Sequence, residues 1–100
     1  MNIQQLMKQA QSMQSDMEKI ERELNEKQTT VKNQGLAITM NGKHELVSVA
    51  IDPSLLTPEN KEIIEDLMLL SINQATKAIQ DERADKLGAL TKGLNLPGFM

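Results

Sequence analysis

"TMNGKHELVSVAIDPSLL", residues Thr39 to Leu56, decides how the rest of the chain is read. Val47, Val49 and Ile51 alternate, as one face of a half-buried strand does, and the strand halts at Asp52-Pro53. Pro has no N–H to give a ladder, so a strand that reaches Pro53 must end there. Upstream, Leu36, Ile38 and Met40 alternate with Ala37 and Thr39, and Asn41-Gly42 between the two runs is a strong hairpin signal. A two-residue loop would set Ile38 against Glu45. A four-residue loop, Asn41 to His44, sets Ile38 against Val47 and Leu36 against Val49, and this apolar match is the expected register. Earlier still, Thr29 and Val31 share one face, and a turn at Gly35 brings Val31 opposite Ile38. Residues 28–52 therefore read as a three-stranded antiparallel meander with one apolar face.

The flanking segments have a different period. From Asn2 to Lys27 the apolar residues are Ile3, Leu6, Ala10, Met13, Met17, Ile20 and Leu24, in steps of three and four, the spacing of a coiled-coil seam. Glu18 with Arg22 and Glu23 with Lys27 stand four apart in the favourable order. A helix over residues 1–27 is about 39 Å long from Asn2 onward at 1.5 Å per residue. That exceeds the span of a compact domain of this size, whose radius of gyration is about 13 Å. The helix should overhang its own domain. After the sheet, Thr57-Pro58-Glu59 reads as a helix start, with Thr57 at the N-cap and Pro58 at the first helical position. The second helix is expected over residues 57–87. Ile63, Ile64, Leu67, Met68, Leu69, Leu70 and Ile72 make its first half apolar almost all round, more than one small sheet can cover. The order is α-β-β-β-α, an α+β fold in a single domain spanning 1–100.

The composition narrows the chemistry. Phe99 is the only aromatic residue in the 100, so the core must come from Leu, Ile, Val, Ala and the seven Met. With no cysteine there is no disulfide, thiolate metal site or Cys nucleophile. Leu67 to Leu70 is the longest apolar run, too short to span a membrane, and the N-terminus does not resemble a signal peptide. A cytoplasmic protein is expected. His44 is the only histidine and sits at a turn, where one imidazole is a poor metal site and no triad partner marks it. The acids Glu59, Glu62, Glu65 and Asp66 suit the N-terminal end of a helix better than acid–base or Mg²⁺ work. Residues Gly93 to Gly98 lack the Lys-Ser/Thr of a phosphate loop. No catalytic residue, cofactor, metal or small-molecule substrate is expected.

The end, "KLGALTKGLNLPGFM", is broken by Gly88, Gly93, Pro97 and Gly98 yet rich in Leu, so residues 88–100 are expected to form a tail packed on the helices or on a partner. At this point a resemblance is visible. "LMKQAQSMQ" (Leu6–Gln14), "TMNGKHEL" (Thr39–Leu46), "IDPSLL" (Ile51–Leu56) and "LTKGLNLPG" (Leu90–Gly98) resemble the YbaB/EbfC family of small bacterial nucleoid-associated proteins. The likeness runs through essentially the whole chain. This chain has a single glycine, Gly35, where family members often carry several, and Lys92-Gly93 where they often have two adjacent glycines. The resemblance implies a homodimer shaped like tweezers that binds double-stranded DNA with little sequence preference. It also implies a nucleoid location, no enzyme activity, and a role in nucleoid organisation, gene expression or DNA repair.

The charge pattern suggests where DNA would be met. The net charge is −3. If the two helices pack antiparallel, residues 1–15 and 77–100 form a tip away from the sheet. That tip holds five basic and three acidic side chains, a net of +2, against six and eleven in the remainder, a net of −5. Phosphate binding needs a local basic surface rather than a basic protein. Lys8, Arg83, Lys86 and Lys92 are therefore the expected DNA-binding residues. The apolar faces of the sheet and second helix make Leu36, Ile38, Val49, Ile63, Leu67 and Leu70 the expected dimer interface. The competing reading is a helical adaptor that binds a protein partner through its Met-rich helix and apolar tail. Salt separates the two, because phosphate contacts weaken steeply with salt and apolar docking does not.

Overall fold

Helix α1 spans Ile3–Glu26, strands β1, β2 and β3 span Gln28–Asn33, Leu36–Asn41 and Leu46–Ile51, and helix α2 spans Lys61–Lys92. This computed structural model describes residues 2–92, and for Thr91 and Lys92 the backbone alone. The expected α-β-β-β-α order holds. Asn2 caps α1, its side-chain oxygen accepting from the Gln4 N–H at 3.0 Å. The radius of gyration is 20.0 Å and the principal extents are 70 × 25 × 13 Å. A compact chain of this length would have a radius near ~13 Å, so α1 does overhang its domain.

The sheet runs β1-β2-β3, antiparallel throughout, with Val31 opposite Ile38 as expected. Gln34 and Gly35 both take positive φ, 49° and 93°, and form the two-residue hairpin between β1 and β2. The second hairpin differs from expectation: Ile38 pairs with Val49 and Leu36 with Ile51. Asn41 is the reason. It stays in the strand, its N–H donating to the Glu45 carbonyl at 3.0 Å. Its Oδ1 accepts from the N–H of Lys43 at 2.9 Å and of Glu45 at 3.0 Å. The loop is thus one residue shorter than expected, with His44 at φ 63°. That alone would set Ile38 against Ser48 and turn the apolar set outward. A bulge between Thr39 and Met40 adds one residue on β3 and restores the facing.

Leu36, Ile38 and Met40 form the inward face of β2 and are buried together with Leu67, Ala75 and Ile79 of α2. Those α2 residues, with Ser71, recur every four positions, a stripe that follows one side of a helix. Ser71 is fully buried and accepts a hydrogen bond from Asn33 Nδ2 at 2.9 Å, so the only polar residue in the stripe is satisfied. α2 covers β1 and β2, while β3 keeps Leu46, Val47 and Val49 exposed.

Helix α2 departs from the sequence reading at both ends. Thr57 precedes a single 3₁₀ turn, Pro58–Asn60, without a side-chain cap bond, and α2 proper begins at Lys61. At the other end α2 passes through Gly88 and reaches Lys92. The rest of the expected tail, residues 93–100, lies outside the described residues. A Cβ built on Gly88 meets nothing within 4 Å. Gly88→Ala should therefore stabilise the protein by about 0.5–1 kcal/mol, because Gly costs more backbone entropy in a helix than Ala. Denaturant titration would read this as a higher midpoint at unchanged slope; a lower midpoint would mean that α2 is not helical at Gly88.

Candidate nucleic-acid interface

The projecting arm is held by a small joint where α1 enters the sheet. The Lys27 ammonium is salt-bridged to Glu82 of α2. Arg83 donates from Nη2 to Asn25 Oδ1 at 2.8 Å and to the Gly42 carbonyl at 3.4 Å. Gly42 in the β2–β3 turn donates its N–H to the Asn25 carbonyl at 3.2 Å. A Cβ at Gly42 would lie 1.7 Å from the Leu24 carbonyl oxygen. Only glycine lets the turn sit this close to the end of α1.

These contacts set Glu82 beside Lys27 and Arg83 beside Asn25, so α1 and α2 run antiparallel from the joint. At 1.5 Å per residue, the Lys92 end of α2 comes level with about residue 17 of α1. The pattern of burial on α1 agrees: Leu24 is buried, Ile20, Met17 and Met13 are half-buried, and residues 2–12 are exposed.

The four expected DNA-binding residues do not form one cluster. Arg83 is half-buried at the joint, against the sheet's own turn, and not at the far end of the helices. Lys86 is exposed one turn further along α2. Lys8 is exposed on the bare half of α1, about 22 Å along the axis from the level of Lys86. Lys92 closes α2, and its side chain lies outside what is described. Lys77, counted with the tip on sequence, is salt-bridged to Asp81 at 3.1 Å on the part of α2 above the sheet.

Two cations escaped the sequence reading. Lys19 and Arg22 are exposed on α1 and, among the described residues, form no ion pair. Lys19 stands three helical turns from Lys8, and Arg22 four, so all three share one stripe opposite the apolar seam. Counting residues 16–76 as one acidic block hid them among Asp16, Glu18, Glu21 and Glu23. The signal was the helical period of the cations themselves. The whole projecting part is electrically balanced, Lys8, Lys19, Arg22, Lys86 and Lys92 against Asp16, Glu18, Glu21, Glu23 and Asp85. Its basic character is a property of one face and not of its net charge.

Of the six expected interface residues, Leu36, Ile38 and Leu67 are 1%, 0% and 6% exposed and belong to the chain's own core. Val49, Ile63 and Leu70 are 45–47% exposed and have surface to give. His44 is an exposed turn residue. Among the described residues no group of three metal-ligating side chains comes together, and no helix is long and apolar enough to cross a membrane.

The sequence profile of the YbaB/EbfC DNA-binding family matches residues 1–94. A nucleoid-associated protein of Clostridium novyi is 45% identical over 101 aligned positions, covering 99% of this chain and 89% of its own. One from Mycoplasmopsis pulmonis is 44% identical over 81 positions, 81% of each chain. Among solved structures, an uncharacterized protein from Helicobacter pylori superposes with a TM-score of 0.75 at 26% identity, covering 91% of this chain and 98% of that one.

Proposed function

This chain belongs to the YbaB/EbfC DNA-binding family, and on that premise we propose that it is a non-enzymatic, nucleoid-associated protein. It works as a homodimer that grips duplex DNA with little sequence preference. The observation that carries this reading is the stripe of Lys8, Lys19 and Arg22 on a helix that stands clear of the domain, where phosphates can reach it. Lys86 adds charge beside the base of the arm. Arg83 serves the same end indirectly, by fixing the angle of the arm through Asn25 and Gly42. Contacts to phosphate carry no base information, which is the basis for weak sequence preference.

The dimer is supported by apolar surface that one chain leaves open: Val47 and Val49 on β3, and Ile63, Leu69 and Leu70 on α2. Such an extent of exposed apolar side chains marks an interaction surface. Sedimentation across a dilution series should give a dimer down to micromolar concentration; a folded monomer there would overturn this part. The DNA reading is tested by gel shift on unrelated duplexes at several salt concentrations. Binding should fall steeply with salt and change little with sequence. Salt-insensitive retention of a protein partner, without DNA binding, would favour the adaptor reading instead.

A further inference from the structure

Helix α1 has one apolar seam along its length, and the fold uses only part of it. From Met13 to Leu24 the seam residues are half-buried or buried, with α2 alongside from about residue 17 onward. Beyond that, Ile3 is 72%, Leu6 45% and the flanking Met7 58% exposed, and Ala10 is exposed as well. Ile3, Leu6, Ala10 and Met13 occupy the a and d positions of a heptad.

The positions beside the seam differ between the two halves. In the N-terminal half they are Asn2, Met7, Gln9 and Gln14, none charged. In the following heptads they are Asp16, Glu21 and Glu23, all acidic. A like helix can therefore lie against the first half without charge conflict, whereas a parallel partner in register would set Asp16 against Glu21. An antiparallel partner overlaps only the bare halves and sends the acidic halves to opposite ends.

We infer that the segment Ile3 to Met13 of α1 is a self-association surface, which pairs antiparallel with the same segment of another molecule. Its cellular use rests on the DNA-binding reading above: molecules joined arm to arm would bridge separate duplexes. Lys8 lies on the side of the helix opposite the seam and stays free for phosphate while the seam is paired. The overlap is about three turns, roughly 16 Å. Helical pairing this short is marginal alone, so the contact becomes effective where molecules are concentrated, as along DNA.

The absence of cysteine makes the test direct. Asn2→Cys protein carries a fluorescence donor and Gln14→Cys protein an acceptor. An antiparallel pair centred on residue 8 sets residue 2 of one arm beside residue 14 of the other. Energy transfer should rise between about 10 μM and about 1 mM and disappear in Leu6→Asp at unchanged helix content. Stronger transfer between two Asn2→Cys proteins would mean parallel arms and overturn the proposal. No transfer at the top concentration would overturn it too. So would a seam protected from hydrogen exchange at every dilution and exposed on deleting residues 93–100, since the chain would then cover its own seam. In a two-duplex capture assay, Leu6→Asp should bind one duplex as wild type does and retain the second about tenfold less. Failure of wild type to bind even one duplex would defeat the DNA reading, while the energy transfer would still decide the pairing.

Discussion

Gly42→Ala should destabilise the protein by about 3 kcal/mol, with the added Cβ meeting closer contacts than one at Gly35 or Gly88 would. The reason is close approach and not conformational freedom, since φ at Gly42 is not positive. The new Cβ would sit 1.7 Å from the Leu24 carbonyl oxygen and 2.8 Å from the Asn25 Cα, both backbone atoms that cannot swing aside. The β2–β3 turn must therefore back away from α1. That breaks the Gly42 N–H to Asn25 bond, worth about 1 kcal/mol. It also uncovers Leu24, a buried residue worth about 2 kcal/mol. Arg83 loses its two acceptors from their shared position. Equilibrium unfolding should show the loss, and amides near Asn25 should exchange faster while those of Ile38 keep their relative protection. A change under about 1 kcal/mol would mean that the joint is looser than described. DNA affinity should fall as well, because the arm no longer holds one angle.

The Lys8→Ala, Lys86→Ala double variant should weaken DNA binding on every sequence tested and flatten its salt dependence. Each phosphate contact contributes about 0.9 to the slope of log affinity against log salt. In the proposed dimer four such positions are lost, so the slope should shrink by up to roughly 3–4 if all four touch phosphate. Both side chains are exposed and, among the described residues, neither forms an ion pair. Stability and helix content should therefore stay within about 0.5 kcal/mol of wild type. Lys32→Ala with Lys43→Ala is the matched control, removing two exposed cations from the sheet and its turn. If the control abolishes binding and the double variant does not, DNA meets the sheet and the arm assignment is wrong. Adding Lys19→Ala and Arg22→Ala should deepen the effect of the double variant.

Much of this could be read without coordinates because it depends on residues close in sequence. The seam of α1, the three strands and the stop at Pro53 follow from periods of 3.5 and 2 and from the missing N–H of proline. The β2–β3 register was harder. Its two deviations, a shorter loop organised by Asn41 and a bulge at Val47, add up to a shift of two residues, and because the strand period is two both registers put the same apolar residues on one face. The end of α2 was misread because Gly88 carries a helix-breaking signal that here meets open space.

The division of roles among residues is another matter. By itself the sequence determined the element order and the apolar faces, since each follows from local period and residue type. Only the tertiary structure decided that Leu36, Ile38 and Leu67 fill the chain's own core while Val49, Ile63 and Leu70 stay open. It alone made Arg83 part of a joint, and Gly42 a point of contact rather than merely a turn residue. It alone divided the α1 seam into a packed half and a bare half. The physical reason is common to all of these. A side chain's period says which face it is on, but what covers that face depends on where a distant segment begins and ends. Here that segment is α2, and its partners on α1 and the sheet lie more than thirty positions away in the chain.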